Sequence, residues 1–344
     1  LGAQRGNIAR MTALDAGWYH VPGTTVDHFC GSSILTTMMA ASNVMAGVNK
    51  AAVAAGIDMA SIDVPPGIVT DQGNLHLREK HPITAVGISA DVIATEEGIS
   101  REDADQFAYA SQQRAANAMQ NGYFDRSLVP IYRDDGSLAL AQEEYPRPGT
   151  TLEKLASLEP VFGRFMNAPM DEHDTFGQLA KKAWPDLEIN HIHHAGSSSG
   201  IVDGASSLLI AAPDFCKAHG LKPRARIVDM ASVAGSPEYN LNEPVPATEL
   251  VLERAGMSPS DIDLFEVNEA FAAVPIRFMR HLKLDHDKVN VNGGAIAMGH
   301  PAGATGAILI GTLLDELERR DLSTGLVTMC AAGGMAPAVI LERI

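Results

Sequence analysis

Hydrophobic positions along this chain follow two periods. Short runs of β-branched and small apolar residues predict strands at Ala51–Ala55, Arg226–Ala231, Asp263–Val267, Gly325–Ala331 and Ala336–Glu342. Helical patterns ending at glycine separate several of them, and that alternation predicts an α/β chain. Ile308, Leu309, Leu313, Leu314 and Leu317 mark the apolar face of a helix running to Arg320. Ser100-Arg101-Glu102-Asp103 reads as a capped helix start. There the serine oxygen can accept from orphan backbone N–H groups, and the acids suit the positive helix end. The amphipathic pattern then runs from Ala104 to Asn121 and stops at Gly122.

Residues 63–197 read differently. Pro65-Pro66-Gly67 stands near the opening, helical segments follow, and Tyr145–Gly149 reads as an exposed connection. This stretch is expected to be an insertion lying over a more regular body. Between Phe29 and Asn49 no residue is charged, but Ser32, Ser33, Thr36, Thr37, Ser42 and Asn43 make the stretch too polar to span a membrane. It predicts a buried helix with Met38, Met39 and Met45 in the core. The stretch Asp171-Glu172-His173-Asp174 reads as a solvated loop, and Asp214–Gly220, with Cys216, as a helix.

Composition narrows the function. The chain has 344 residues, 46% hydrophobic and 20% charged, which suits a folded chain of about two domains at ~150 residues each. Twenty-six basic and 42 acidic residues leave a net charge of −16 with no basic run, which argues against nucleic-acid binding. Three widely spaced cysteines, Cys30, Cys216 and Cys330, fit neither a disulfide framework nor a zinc cluster, and they suit a reducing compartment.

Four segments carry candidate chemistry. Cys30 stands just ahead of the uncharged helix, where unpaired N–H groups would stabilise a thiolate and lower its pKa; the alternative is a buried structural cysteine. Asn292–Ala307 contains five glycines around Gly299-His300-Pro301, with neither dinucleotide nor P-loop spacing. Thr328–Met335 places Cys330 at a strand end beside small residues whose N–H groups suit an oxyanion hole, or else forms a plain hairpin. Asn268, in Glu266–Ala272, would stand at the C-terminal end of its strand, where α/β folds tend to place functional groups, unless it only caps a helix. His191, His193 and His194 lack the matching ligand spacing of a metal site. A cysteine follows a β-like run in each half, at Val26–Cys30 and at Met329–Cys330, a faint echo of a duplicated unit.

Together these segments resemble the thiolase family. The likeness runs through nearly the whole chain: the opening Ala3–Arg10, the cysteine helix, Ser198–Ala205, Asn268-Glu269-Ala270-Phe271, Gly299-His300-Pro301-Ala302-Gly303 and Cys330-Ala331-Ala332-Gly333-Gly334. The resemblance implies an α/β thiolase fold, two similar βαβαβαββ halves packed as a layered α/β/α/β/α body with an inserted loop domain. It divides the chain into 1–62 (first half), 63–197 (loop domain), 198–222 (end of the first half) and 223–344 (second half). A strand and helix of the first half are expected to precede Leu1.

The resemblance also implies an acyltransferase acting on acyl-CoA and CoA, with no metal and no permanently bound cofactor, coenzyme A being a substrate. Cys30 would take the acyl group, and His300 would draw its proton and later activate the incoming thiol. Cys330 would move a proton at the α-carbon, and Asn268 with His300 would stabilise the thioester enolate. The N–H groups of Cys30 and Ala332 would form a second oxyanion hole. Ser199 would touch the pantetheine arm, and Ala270 and Phe271 would line the pocket. A homodimer or homotetramer, a cytoplasmic location and no membrane segment are expected, with Phe162–Ile192 shaping acyl preference. Departures from the family pattern fall at Gly31, Val86, Ser197 and Ala332. A ketosynthase-type enzyme, with one cysteine, and a non-catalytic thiolase-like subunit are the competing readings; Cys330 speaks against the first and the full set of four residues against the second.

Overall fold

The computed structural model describes residues 6–62 and 70–344. Pro65-Pro66-Gly67 and Ala3, Gln4 and Arg5 of the opening motif lie outside the described residues. The chain begins with α1 (Ile8–Asp15), α2 (Ser32–Met45) and β1 (Ala51–Asp58). A middle region follows, with α3 (Leu75–Lys80), α4 (Val86–Glu96), α5 (Arg101–Gln120), the hairpin β2 (Ile131–Tyr132) and β3 (Leu138–Leu140), α6 (Leu152–Ala156), α7 (Phe162–Phe165) and α8 (Phe176–Ala183). The chain returns through β4 (Gly204–Ala211) and α9 (Pro213–Ala218). The last part runs β5 (Ala225–Ala234), α10 (Pro244–Ala255), β6 (Leu264–Val267), α11 (Ala273–Leu282), α12 (Ala295–Met298), α13 (Thr305–Arg319), β7 (Thr324–Thr328) and β8 (Met335–Arg343).

The strands of the last part form one sheet in the order β5-β8-β7-β6, with β6 and β7 parallel and the other neighbours antiparallel. All four residues of β6 are buried, as expected of a strand covered on both faces. Its side chains alternate: Leu264 joins the cluster of Leu309, Leu313 and Ile34, while Phe265 and Val267 join that of Val245, Val251 and Phe278. Thus α13 and α2 cover one face of the sheet, and α10 and α11 the other. Beyond α2 and α13 lies the antiparallel pair β1–β4, in register from Ala51↔Ala211 to Asp58↔Gly204. The two helices are therefore a layer between two sheets.

The five expected strands all form, with shifted ends. β7 stops at Thr328, so Cys330 lies beyond the strand and not on it. β4 was not anticipated, because Gly-Ala-Ser-Ser-Leu-Leu-Ile-Ala has little intrinsic β signal and is ordered by pairing with β1. The cap at Ser100 is a reciprocal box: its hydroxyl accepts from Asp103 N, and the Asp103 carboxylate accepts from Ser100 N, both at 3.0 Å. Met39 and Met45 are exposed, contrary to expectation. The buried stripe of α2 is Ser33, Ile34, Thr37, Ala40 and Ala41, and helical periodicity turns both methionines away from it.

The middle region is tied down by a buried ion cluster. Arg78, 2% exposed, meets Asp71 at 2.6 Å, Asp171 at 2.6 Å and Asp174 at 3.2 Å. Asp171 and Asp174 are thus structural ligands of a buried guanidinium, not a solvated loop, and they hold the segment before α8 against α3. Removing one partner of such a cluster strands the others. Arg78→Ala is expected to cost about 3–5 kcal/mol in urea unfolding; a loss under about 0.5 kcal/mol, as for an ordinary surface change, would show that the cluster does not hold the fold together.

Candidate active site

Cys30 is presented by a tight turn. Phe29 has φ +50°, a left-handed conformation costing a non-glycine residue roughly 1 kcal/mol or more. The turn is closed by Gly31 N donating to His28 O at 3.1 Å and Ser32 N to Phe29 O at 3.2 Å. The Ser32 hydroxyl works twice: it accepts from His28 N at 2.9 Å and donates to Phe29 O at 2.6 Å. α2 starts directly after this turn. Its N-terminus does not win the electrostatic contest. Burial pushes the Cys30 thiol up to about 11, and Asp58 and Asp27 add to the rise. The expected lowering is therefore corrected: the thiol is protonated at rest and needs a base.

His300 sits at the equivalent place before α13. Its N–H donates to Gly200 O at 2.8 Å, and Ala302 N donates to Asp58 Oδ2 at 2.9 Å, so β1 and the 198–204 segment fix the loop. The Thr305 hydroxyl donates to Pro301 O at 2.9 Å, which leaves its oxygen to accept from His300 Nδ1 at 2.6 Å. That assigns the proton to Nδ1 and the lone pair to Nε2. Withdrawal from water lowers the imidazole to about 4, so it is neutral at pH 7 and able to act as a base.

Asn268 follows β6 and does not cap a helix, since α11 begins only at Ala273. Its amide nitrogen lies 3.2 Å from His300 Nε2, its N–H donates to Thr328 O at 3.2 Å, and its buried Oδ1 has no protein partner. The bond to Thr328 sets Asn268 beside the end of β7, two residues from Cys330. Cys330 is 1% exposed, and its thiol is raised strongly by burial and by the nearby Cys30. After it, Ala331 N donates to Met335 O at 2.7 Å and Gly333 N to Asn240 Oδ1 at 2.9 Å. Gly334 has φ +73°, and a β-carbon there would lie 2.5 Å from Ser236 O, so both conformation and space require glycine. Ala332 has no positive φ and sits in this turn without strain.

Ser199, Ala270 and Phe271 come together. Ser199 N donates to Ala270 O and Ala272 N to Ser197 O, each at 3.0 Å, and Ser198 bridges Phe271. Cys30, His300, Asn268 and Cys330 thus stand at the ends of elements that meet, with the segment 197–200 bonded to both the Asn268 loop and the His300 loop. Cys216 lies apart, buried in α9.

Several contributors were not foreseen. Thr305, Asp58 and Asn240 carry no motif of their own and are found only by their bonds to His300, Ala302 and Gly333. Glu269 stands inside the Asn268–Phe271 motif, and its part is visible only in the structure. It is buried and accepts from Ser111 Oγ at 2.6 Å, Asn290 Nδ2 at 2.9 Å and Ile296 N at 3.2 Å, tying the Asn268 loop to the start of α12. His191 and His193 bond Asp91, and His194 bonds Asp105. Among the described residues no group of three His, Cys, Asp or Glu side chains could hold a metal ion, and no helix is long and apolar enough to cross a membrane.

Comparison with known proteins follows the same line. The family models described as thiolase N-terminal domain and thiolase C-terminal domain match residues 2–165 and 221–343. A 3-ketoacyl-CoA thiolase of Erwinia tasmaniensis is 40% identical over 347 residues, covering 98% of this chain and 83% of that protein. A steroid 3-ketoacyl-CoA thiolase, FadA6, of Mycobacterium tuberculosis is 37% identical over 357 residues, covering 100% and 81%. Among solved structures, the acetyl-CoA acetyltransferase of Bacillus anthracis superposes with a TM-score of 0.83 at 31% identity, covering 100% of this chain and 85% of that one. The human mitochondrial 3-ketoacyl-CoA thiolase in complex with CoA gives 0.82 at 31% identity, covering 98% and 82%.

A resting thiol near 11 has a kinetic signature. Iodoacetamide alkylation of Cys30, read by peptide mapping, is expected to keep rising with pH through 9 and beyond. A plateau near pH 7 would mean that the helix end already holds a thiolate.

Proposed function

The chain belongs to the thiolase family, and we propose that it cleaves 3-ketoacyl-CoA with CoA to acetyl-CoA and a shortened acyl-CoA, or runs the reverse condensation, through an acyl thioester on Cys30. The observation that carries the assignment of roles is the setting of His300. It is neutral, with Nδ1 spent on Thr305 and Nε2 turned to Asn268.

In the cleavage direction Nε2 of His300 takes the Cys30 proton as Sγ attacks the 3-keto carbon. The C2–C3 bond breaks and its electron pair leaves as the thioester enolate, which Cys330 protonates at C2. Acetyl-CoA departs. His300 passes its proton to the Cys330 thiolate and is again free to take the proton of an incoming CoA thiol. That thiolate attacks the acyl group, and Cys30 leaves and recovers its proton. Backbone N–H groups of Cys30 and Ala332 would hold the first oxyanion, and Asn268 with His300 the enolate oxygen. The protonated resting state of both cysteines supports these roles, since one must give up a proton only on attack and the other must have one to give.

Ser199, Ala270 and Phe271 form the wall assigned to pantetheine and acyl group. The segment Phe162–Ile192 borders it. Phe162 packs edge-on against Phe271 at 5.5 Å, and the same segment forms a cleft of about 450 Å³ lined by Met166, Trp184 and Leu187 together with Lys181, Asp186 and Glu188. That segment is our candidate for the determinant of acyl bulk. The reading keeps the division into 1–62, 63–197, 198–222 and 223–344, supported by the β1–β4 pairing that joins the first and third parts. It includes a homodimer or homotetramer, for which Val53 and Leu209 offer exposed apolar surface on the outer face of β1–β4. It places the enzyme in the cytoplasm, where three unpaired cysteines stay reduced.

Thiolysis of acetoacetyl-CoA and of a bulkier 3-ketoacyl-CoA is expected with the wild-type chain. Cys30→Ala should remove it, and Cys330→Ser should lower kcat by about 10²–10⁴-fold, the usual worth of a positioned acid–base group. A folded protein that cleaves neither substrate would sink the reading in favour of a non-catalytic subunit.

A further inference from the structure

The histidine stretch before Ser197 has no part in the chemistry above, yet it is among the most completely bonded segments of the chain. His193 and Asp91 are both fully buried. His193 Nδ1 lies 2.7 Å from Asp91 Oδ1, and the same carboxylate accepts from Ile192 N at 3.1 Å, from His193 N at 3.0 Å and from His191 Nδ1 at 2.7 Å. Burial alone would raise the Asp91 carboxyl, but the bonds from His191 and His193 outweigh it and hold it below its ordinary value. An ionised Asp91 can only accept, so Nδ1 of His193 carries the proton and Nε2 keeps its lone pair.

That lone pair has a specific use. Ala273 N donates to His193 Nε2 at 3.2 Å. Ala273 is the first residue of α11, and the cap position before it is Ala272, which has no side chain able to accept. A helix N-terminus leaves its first N–H groups without intrahelical partners. Here an imidazole from a distant part of the chain does the work usually done by Ser, Thr, Asp or Asn at the cap. The same ring meets Phe271 edge-on at 5.7 Å.

The segment from Asn268 to Ala272 is held within by the Glu269 carboxylate and by the Ala270 and Ala272 backbone, and it is also tied at both ends. At one end Asn268 N bonds Thr328 O beside β7; at the other, Ala273 is pinned by His193. Cys30 is held by the Ser32 turn and the His300 loop by Asp58, Thr305 and Gly200 O, none of them a contact of His193, although the His300 ring also meets the Asn268 amide. We propose that His193, oriented by Asp91, is a positioning residue for the Asn268 side of the site, serving the carbon–carbon bond step and not acyl transfer at Cys30. This rests on the thiolase reading.

Two rates separate the roles. Thiolysis of acetoacetyl-CoA needs both steps. Exchange of isotopically labelled CoA into acetyl-CoA needs Cys30 to accept and return an acyl group but breaks no carbon–carbon bond. His193→Asn keeps a donor for Asp91 and loses the acceptor for Ala273 N; His193→Gln can place a carbonyl oxygen near the former Nε2. His193→Asn is expected to lower the kcat of thiolysis by about 10–100-fold, the effect of a sub-ångström misplacement, with exchange and KM within about threefold of wild type. His193→Gln should recover most of that loss. Should His193→Asn not fold, Asp91→Asn supplies the test, with a smaller fall confined to thiolysis. Unchanged thiolysis in the folded variants, a parallel fall of both rates, or no advantage of Gln over Asn would each overturn the proposal. A wild-type chain that exchanges CoA but cleaves no ketoacyl-CoA would instead remove the thiolase reading, and this inference with it.

Discussion

Gly306 has no side chain, and α13 uses that absence to lie against the first turn of α2. A β-carbon there would stand 2.6 Å from both the backbone nitrogen and a side-chain carbon of Ile34. At the same point Ser33 Oγ accepts from Ala307 N at 3.0 Å, so an orphan donor of one helix is satisfied by a side chain of the other. The contact sets two helix N-termini side by side between two sheets. The residue before one helix start is in the cysteine turn, and the loop before the other carries His300. Neither could be moved without opening the centre of the molecule, where Ile34, Leu309 and Leu313 close the same seam. Thus a packing requirement of the core is also what brings Cys30 and His300, the proposed nucleophile and base, to one end of the fold.

Burial then decides the protonation of the site. Both cysteines are pushed up and His300 is pushed down, so every group rests in its neutral form. A site of this kind stores no charge before substrate arrives. In the proposed mechanism charge develops only as the thiol proton moves to Nε2, where the backbone N–H groups of Cys30 and Ala332 and the Asn268 amide would meet it. Preorganised donors in a water-poor site are worth far more than the same donors in water, because they need no rearrangement when charge appears. The same low polarity explains the dense bonding around the site. Glu269, Asp91 and Asp105 are all buried and all hydrogen-bonded, as most buried carboxyl groups are. Their bonds reach α5, α12 and the 191–194 stretch, so the scaffold of the site is largely polar even where its outer packing is apolar.

Much of this could be read from the sequence, and what could not shares one cause. Cys30, His300 and Cys330 stood out because each sits beside glycines and small residues, and Asn268 because it follows a strand in a short segment with a recognisable order. The main strands stood out because their runs are rich in β-branched and small apolar residues. The hidden parts depend on partners far along the chain. β4 is too poor in β-branched residues to declare itself and forms because β1 is there. Asp171 and Asp174 look like solvent-facing acids until Arg78, more than ninety residues earlier, is placed between them. Thr305 is five residues from His300, but nothing in a threonine at a helix start says that it will hold an imidazole. The pKa of Cys30 went the other way from expectation because a helix N-terminus can be seen in a sequence and the depth of burial cannot. Met45 failed for a related reason: only the true orientation of α2 says which face is inside.

The proposed chemistry requires Cys30, one cysteine of three, to carry an acyl group. The direct measurement is to mix the protein with acetoacetyl-CoA without free CoA, quench in acid and map the peptides by mass spectrometry. An acetyl group on the Cys30 peptide, absent from those of Cys216 and Cys330 and lost on adding CoA, is the expected result. No acylated peptide, or an acyl group on Cys330 with Cys30 unmodified, would contradict it.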